Sequence, residues 1–171
     1  MPNVIVDRFL FDLPTGWTCL KYDDCGFYRA HFNAVASSKA LDLLALAPQG
    51  AELWLVEIKD YRRQRRTKPE NLFTEIAHKV RDTLAGLAAA RVYVNDPTVQ
   101  VFADHAMRVG KLRVAFLLQQ PTHQSRLFPQ IVDPANGRIK LRQALRAVDP
   151  HPFLGNAADL TTKTSWTVTP P

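Results

Sequence analysis

The chain is poor in the features that would announce several common protein classes. It has only two cysteines, Cys19 and Cys25, in 171 residues. No histidine or cysteine pair beside them completes a zinc spacing, so a structural zinc site is excluded there and the two are read as free thiols of a reducing compartment. No apolar run reaches the roughly 18 residues that span a bilayer. The start, Met1 to Val4, lacks the basic and apolar segments of a secretory signal. The expectation is a cytoplasmic protein without a membrane partner. No internal repeat is visible, and no zinc finger or recognition helix that would read bases. His31, His78, His105, His123 and His151 have no ligand spacing and are read as satisfied or exposed.

What is present is ordinary globular material. The hydrophobic fraction is 46% and the charged fraction 22%, which suits one domain over 1–171 with a core that needs no disulfide or metal to hold it. Lys and Arg number 22 against 16 acids, a net charge of +6, with a pI near 9.6. That balance favours a polyanionic partner.

Along the chain, residues 3–13 are apolar with interspersed acids and fit helix or strand equally. Residues 17–22 read as a strand, and residues 28–32 as a short helix or another strand. Two apolar runs, 40–46 and 52–59, flank Pro48, Gln49 and Gly50 and read as a hairpin of two buried strands. Helix stays open for the first run, because Leu and Ala favour it. Thr67, Pro69 and Glu70 have capping-box spacing, and apolar residues then recur at the helical period, predicting an amphipathic helix over 68–90 that covers a sheet. Residues 111–119 read as a buried strand, residues 138–148 as a helix rich in Arg and Lys, and the tail after Pro150 as Pro- and Thr-rich. Trp17, Trp54 and Trp166 are read as packing residues.

The hairpin carries three charges that apolar strands would not carry without a reason: Asp42, Glu57 and Lys59. If the turn is centred between Gln49 and Gly50, antiparallel partners have numbers summing to 99, which places Asp42 opposite Glu57 on one side of the sheet, about 4.5–5.5 Å apart at Cβ. Two carboxylates that close repel unless a cation lies between them. A hard divalent ion with oxygen ligands at about 2.0–2.1 Å is the natural one. Lys59, two residues after Glu57, shares its face.

The spacing Asp42, 14 intervening residues, then Glu57, Ile58 and Lys59 resembles the PD-(D/E)XK nuclease superfamily, also called restriction endonuclease-like. The resemblance covers residues 38–120. It implies an α/β fold with a mixed central sheet flanked by helices in αβββαβ order. Residue by residue, it implies that Asp42 and Glu57 bind Mg²⁺ or Mn²⁺, that Ile58 offers its carbonyl, and that Lys59 is the catalytic lysine. Leu41 stands where the family often has proline, and the first-helix acid of many members has no clear counterpart, with Asp7, Asp12, Asp23 and Asp24 as candidates. Glu75 and Lys79, four apart on the following helix, are auxiliaries at most, and read on their own they form a helix salt bridge. Arg62, Arg63, Arg65, Arg66 and Lys68 leave the strand that carries the proposed site and could bind a nucleic-acid backbone.

The function expected is metal-dependent hydrolysis of phosphodiester bonds, in DNA ahead of RNA. A homodimer fits resembling enzymes that cut both strands. The alternative is a catalytically silent nucleic-acid-binding subunit of a restriction, repair or defence complex. A third reading makes the charges a structural ion cluster and the basic face an aid to solubility.

Overall fold

The structure, a computed structural model, describes residues 3–34, 37–62, 66–121 and 130–170. Arg63, Arg65 and His123 lie outside the described residues. The fold is mixed α/β, with a five-stranded mixed sheet flanked by helices. Its strands are β3 (Thr18–Leu20), β4 (Leu43–Leu46), β5 (Leu53–Asp60), β6 (Leu112–Gln119) and β7 (Phe153–Gly155), side by side in that order. The β3–β4 and β4–β5 pairs are antiparallel; β5–β6 and β6–β7 are parallel.

The β4–β5 hairpin has the register read from its turn: Leu43 faces Val56 and Leu44 faces Leu55, each pair summing to 99. Gln49 at φ 58° and Gly50 at φ 66° make the reversal. The first run is thus a strand, shorter than 40–46. Between β5 and β6 the chain crosses over through α1 (Leu72–Tyr93) and α2 (Pro97–Ala106), as parallel neighbours require. The helix expected over 68–90 begins later, because Asn71 and not Thr67 is the cap: its side chain accepts from the amides of Phe73 and Thr74. A further helix, α3 (Pro134–Leu145), joins β6 to β7 and starts ahead of the expected 138, with Asp133 as cap and Pro134 in the first turn.

Both faces of the sheet are covered, which explains why its strands read as continuous apolar runs. On one face Leu44, Leu46, Leu53, Leu55, Val114 and Phe116 pack against Ile76, Val80 and Leu87 of α1 and Leu141 and Leu145 of α3. On the other, Leu43, Trp54, Val56, Ile58 and Leu117 pack against a second sheet and the short helix α4 (Ala157–Lys163). That second sheet is β1 (Asn3–Val6), β2 (Phe9–Asp12) and β8 (Thr167–Thr169). Residues 3–13 therefore form a hairpin, reversing through Asp7 and Arg8 at φ 47° and 72°. This differs from the expected αβββαβ order: two strands stand where the leading helix was expected, and the only helical turn ahead of β4 among the described residues is a five-residue π-type turn, Tyr28–Phe32. The Pro- and Thr-rich tail supplies β7, α4 and β8, with Trp166 packed edge-on against Trp17 and Trp54. Among the described residues, no helix is long and apolar enough to cross a membrane.

Candidate functional site

Strand alternation puts Glu57 and Lys59 on the same side as Leu53 and Leu55, facing α1. The approach to β4 is fastened to that helix by backbone donors: the Lys39 amide to Asp82 Oδ2 at 3.0 Å and the Leu41 amide to Thr83 Oγ1 at 3.1 Å. Lys39 also pairs with Glu70. The hairpin ladder consequently stops at Leu43, one residue short of Asp42. The Asp42 carboxylate takes over the lost ladder position, Oδ2 accepting the Ile58 amide at 2.7 Å. In a strand the amide and carbonyl of one residue point the same way. The Ile58 carbonyl therefore opens toward Asp42 as well, and there it accepts from Lys59 Nζ at 3.2 Å.

Four charges converge here. Glu57 is fully buried and Asp42 is 6% exposed. Lys59 Nζ lies 2.5 Å from Glu57 Oε1. Lys79 Nζ reaches down from α1 to 2.7 Å from Glu57 Oε1, 2.8 Å from Oε2 and 3.5 Å from Asp42 Oδ1. Glu57 Oε1, though close to both ammonium groups, accepts no well-aligned hydrogen bond. The sequence residues Asp42, Glu57, Ile58 and Lys59 are thus brought together, and Lys79 joins them.

Glu75 does not. It is fully buried one turn before Lys79 and bonds Arg66 Nη1 at 2.8 Å and Lys68 Nζ at 2.6 Å. The Glu75–Lys79 helix salt bridge expected from the spacing gives way to stronger partners for each residue. Burial works against the Glu75 charge, yet the hydrogen bonds from Lys68 and Arg66 hold its pKa down to about 2. Arg66 also donates to the Glu70 carbonyl and to the Tyr61 hydroxyl, and Arg62 clasps Asp60 at 2.7 Å. Each described cation of the 62–68 stretch therefore has an acidic partner, Arg62 at the end of β5 and Arg66 and Lys68 on Glu75 of α1.

Burial, and then the neighbouring Asp42, push the Glu57 carboxyl up to about 7 despite the opposing pull of Lys79 and Lys59. The Lys59 ammonium loses to burial but gains more from Glu57 and Asp42, and its pKa lies above the ordinary lysine value. A carboxyl whose folded pKa exceeds its unfolded value of 4.5 holds a proton in the native state that the unfolded chain has released. Its contribution to stability therefore declines as pH rises from about 4.5 to 7. Chemical denaturation across that window should show the wild-type chain losing stability relative to Glu57→Gln; parallel profiles would count against the assignment.

The donors suit a hard divalent cation. Asp42 and Glu57 share Lys79 Nζ and the Ile58 carbonyl accepts from Lys59 Nζ, so the candidate donors are all oxygen, as Mg²⁺ prefers. The Lys79 ammonium marks a place where both carboxylates already stabilise positive charge. A metal there would displace Lys79 from between them. Among the described residues no cluster of three or more Asp, Glu, His or Cys side chains is placed to hold a metal.

The chain is similar to part of a tRNA ligase. A cysteine-tRNA ligase of Neisseria meningitidis serogroup A is 26% identical over 167 residues, an alignment that takes in 80% of this chain and 24% of that enzyme. The chain thus corresponds to about a quarter of that relative's length. No known family profile matches it, and no solved structure does.

Proposed function

We propose that the chain is a metal-dependent nuclease with a restriction endonuclease-like core, hydrolysing phosphodiester bonds in DNA in preference to RNA. The observation that carries the reading is the convergence of Asp42, Glu57 and Lys59 on one side of two central strands, with the Ile58 carbonyl beside them. Asp42, Glu57 and the Ile58 carbonyl would hold Mg²⁺ or Mn²⁺. Such an ion, when bound, polarises phosphoryl oxygens and makes its bound water acidic. Lys59 contributes a fixed ammonium, kept charged by its two acidic neighbours, that donates to the attacking water or to a phosphate oxygen as negative charge builds. Glu57, burial having raised its pKa, must lose its proton before it can ligate, so Mg²⁺ affinity should climb with pH through about 7; calorimetric titration at pH 6 and pH 8 reads this.

The deciding experiment incubates the full chain with plasmid DNA, single-stranded DNA and tRNA, with Mg²⁺, with Mn²⁺ and with chelator. tRNA belongs in the panel because the similar ligase is named for it. Metal-dependent cleavage of DNA, lost in Asp42→Asn, is the expected result. Binding with no cleavage under any metal would favour the second reading, a catalytically silent nucleic-acid-binding subunit of a restriction, repair or defence complex. One observation speaks for that second reading: Asp42, Glu57, Lys59 and Lys79 make a charge-balanced cluster without any metal.

A further inference from the structure

The excess positive charge is not spread evenly over the molecule. Several arginines elsewhere stand beside acids: Arg29 by Asp24, Arg62 by Asp60, Arg91 and Arg108 by Asp104. Helix α3 is different. From Pro134 to its end it carries Arg138, Lys140 and Arg142, followed by Arg146, and no acid. All four are exposed. Among the described residues none of them has an ion-pair partner.

Arg138, Arg142 and Arg146 recur every four residues, which stacks them along one flank of the helix with a rise of about 6 Å per step. Like charges at that spacing repel, costing an isolated helix about 0.2–0.5 kcal/mol per pair. The ladder is held rigidly. A Cβ on Gly137 would come within 2.6 Å of Val132 and 2.7 Å of Leu154, so α3 sits tight against β7. Leu141 and Leu145 are buried beneath it.

Its position is tied to the candidate site. Gln120, the residue after β6, accepts from the amides of Ile131 and Val132 and donates to the Val132 carbonyl, which fixes the start of α3 at the carboxyl end of the parallel strands. Glu57 and Lys59 lie toward the same end of β5. From there α3 runs back antiparallel to β6 and β7, and Arg138 also lines a cleft of about 590 Å³ with Arg113, His151 and Lys163, which lies toward the amino ends of those strands. In that cleft Glu52 accepts from the Trp54 indole and lies 3.6 Å from Arg113, and Asp159 closes the capping box of α4.

We infer that this arginine ladder docks the sugar-phosphate backbone of duplex DNA, its Arg138 end lying nearest the carboxyl ends of the strands where the candidate site lies. The choice of polyanion rests on the nuclease reading. The ladder is arginine alone, without the aromatic platforms on which single-stranded bases stack, so the partner is one whose bases face inward. Contacts of this kind position the protein and carry no sequence information.

The test measures binding of a short labelled duplex to the full chain by fluorescence anisotropy in chelator, so that cleavage plays no part. Three phosphate contacts correspond to a salt slope of about 2.7; between roughly 50 and 200 mM salt the wild-type chain should lose about forty-fold more affinity than a variant with Arg138→Gln, Arg142→Gln and Arg146→Gln. The corresponding triple change to Lys should keep both affinity and slope, and an Arg91→Gln, Arg108→Gln control should match wild type. An unchanged slope in the Gln triple, an equal loss in the control, no duplex binding by wild type, or tighter binding of tRNA or anionic lipid vesicles would each overturn the inference. If the ladder governs duplex binding but no metal supports cleavage, the nuclease reading falls and this one stands.

Discussion

Lys59→Ala is expected to lower metal-dependent DNA cleavage by about 10²–10³-fold, the usual cost of removing one donor aimed at charge that develops in the transition state, while leaving duplex affinity within a few-fold of wild type. The geometry supports so specific an effect. The Lys59 side chain runs along the sheet between a fully buried carboxylate at 2.5 Å and the Ile58 carbonyl at 3.2 Å, so its ammonium has little freedom to sit elsewhere. Glu57 and Asp42 keep it charged over the whole accessible pH range. Removing it leaves Lys79 to neutralise Glu57, so the site should retain its shape; the thermal midpoint checks that. Lys59→Arg, which restores charge in a planar and bulkier form, should recover only part of the rate. Cleavage that survives Lys59→Ala at the wild-type rate would remove Lys59 from the chemistry, and with it the strongest support for the nuclease reading.

Much of this arrangement was legible in the sequence, and the unreadable part has physical causes. Pro48, Gln49 and Gly50 fixed one turn, and with period-two alternation one turn sets the facing of every residue on both strands; Asp42, Glu57 and Lys59 followed from that alone. What the register could not show is that the ladder ends at Leu43. The tie between Leu41 and Thr83 of α1 is a contact 42 residues long, invisible to local spacing. Lys79 is read from the sequence as an auxiliary of the site or as a helix partner of Glu75; it lies between Ile76 and Val80 on the flank of α1 that packs on the sheet. A lysine in an apolar stripe opposite a buried acid was the signal available. The basic stretch reads as a candidate for binding a nucleic-acid backbone, and local sequence does not reveal that Glu75 lies fully buried and pairs with Arg66 and Lys68. Helix α2 was missed although Asp96 and Pro97 supply a cap and a first-turn proline. The three-residue strands β7 and β8 are too short to carry any periodic pattern; their partners, not their composition, make them strands.

Lys79→Met should cost about 3 kcal/mol of folding stability, because it keeps the side chain's length while stripping the cation from two buried carboxylates, and an uncompensated buried charge is worth about 3–5 kcal/mol when one partner is removed. Lys59 remains beside Glu57, which places the effect at the lower end of that range. The deficit should also depend on pH. Without Lys79 the Glu57 pKa moves further above its wild-type value of about 7, so at acidic pH Glu57 is neutral and little is missed, whereas at alkaline pH the charged carboxylate has Lys59 alone to offset it and the gap to wild type widens. Urea denaturation at pH 5.5 and pH 8.5 reads the difference. The same variant distinguishes a metal centre from a purely structural ion cluster. If Lys79 occupies the position a divalent cation would take, Mg²⁺ or Mn²⁺ should restore the lost stability, by about 2.7 kcal/mol at a hundred times the dissociation constant, and should stabilise the variant more than wild type, where the ion must first displace the ammonium. Equal shifts in the two proteins would mean that metal binds away from Asp42 and Glu57. No shift in either would leave Asp42, Glu57, Lys59 and Lys79 as a closed quartet whose part in the protein is to hold α1 against the sheet.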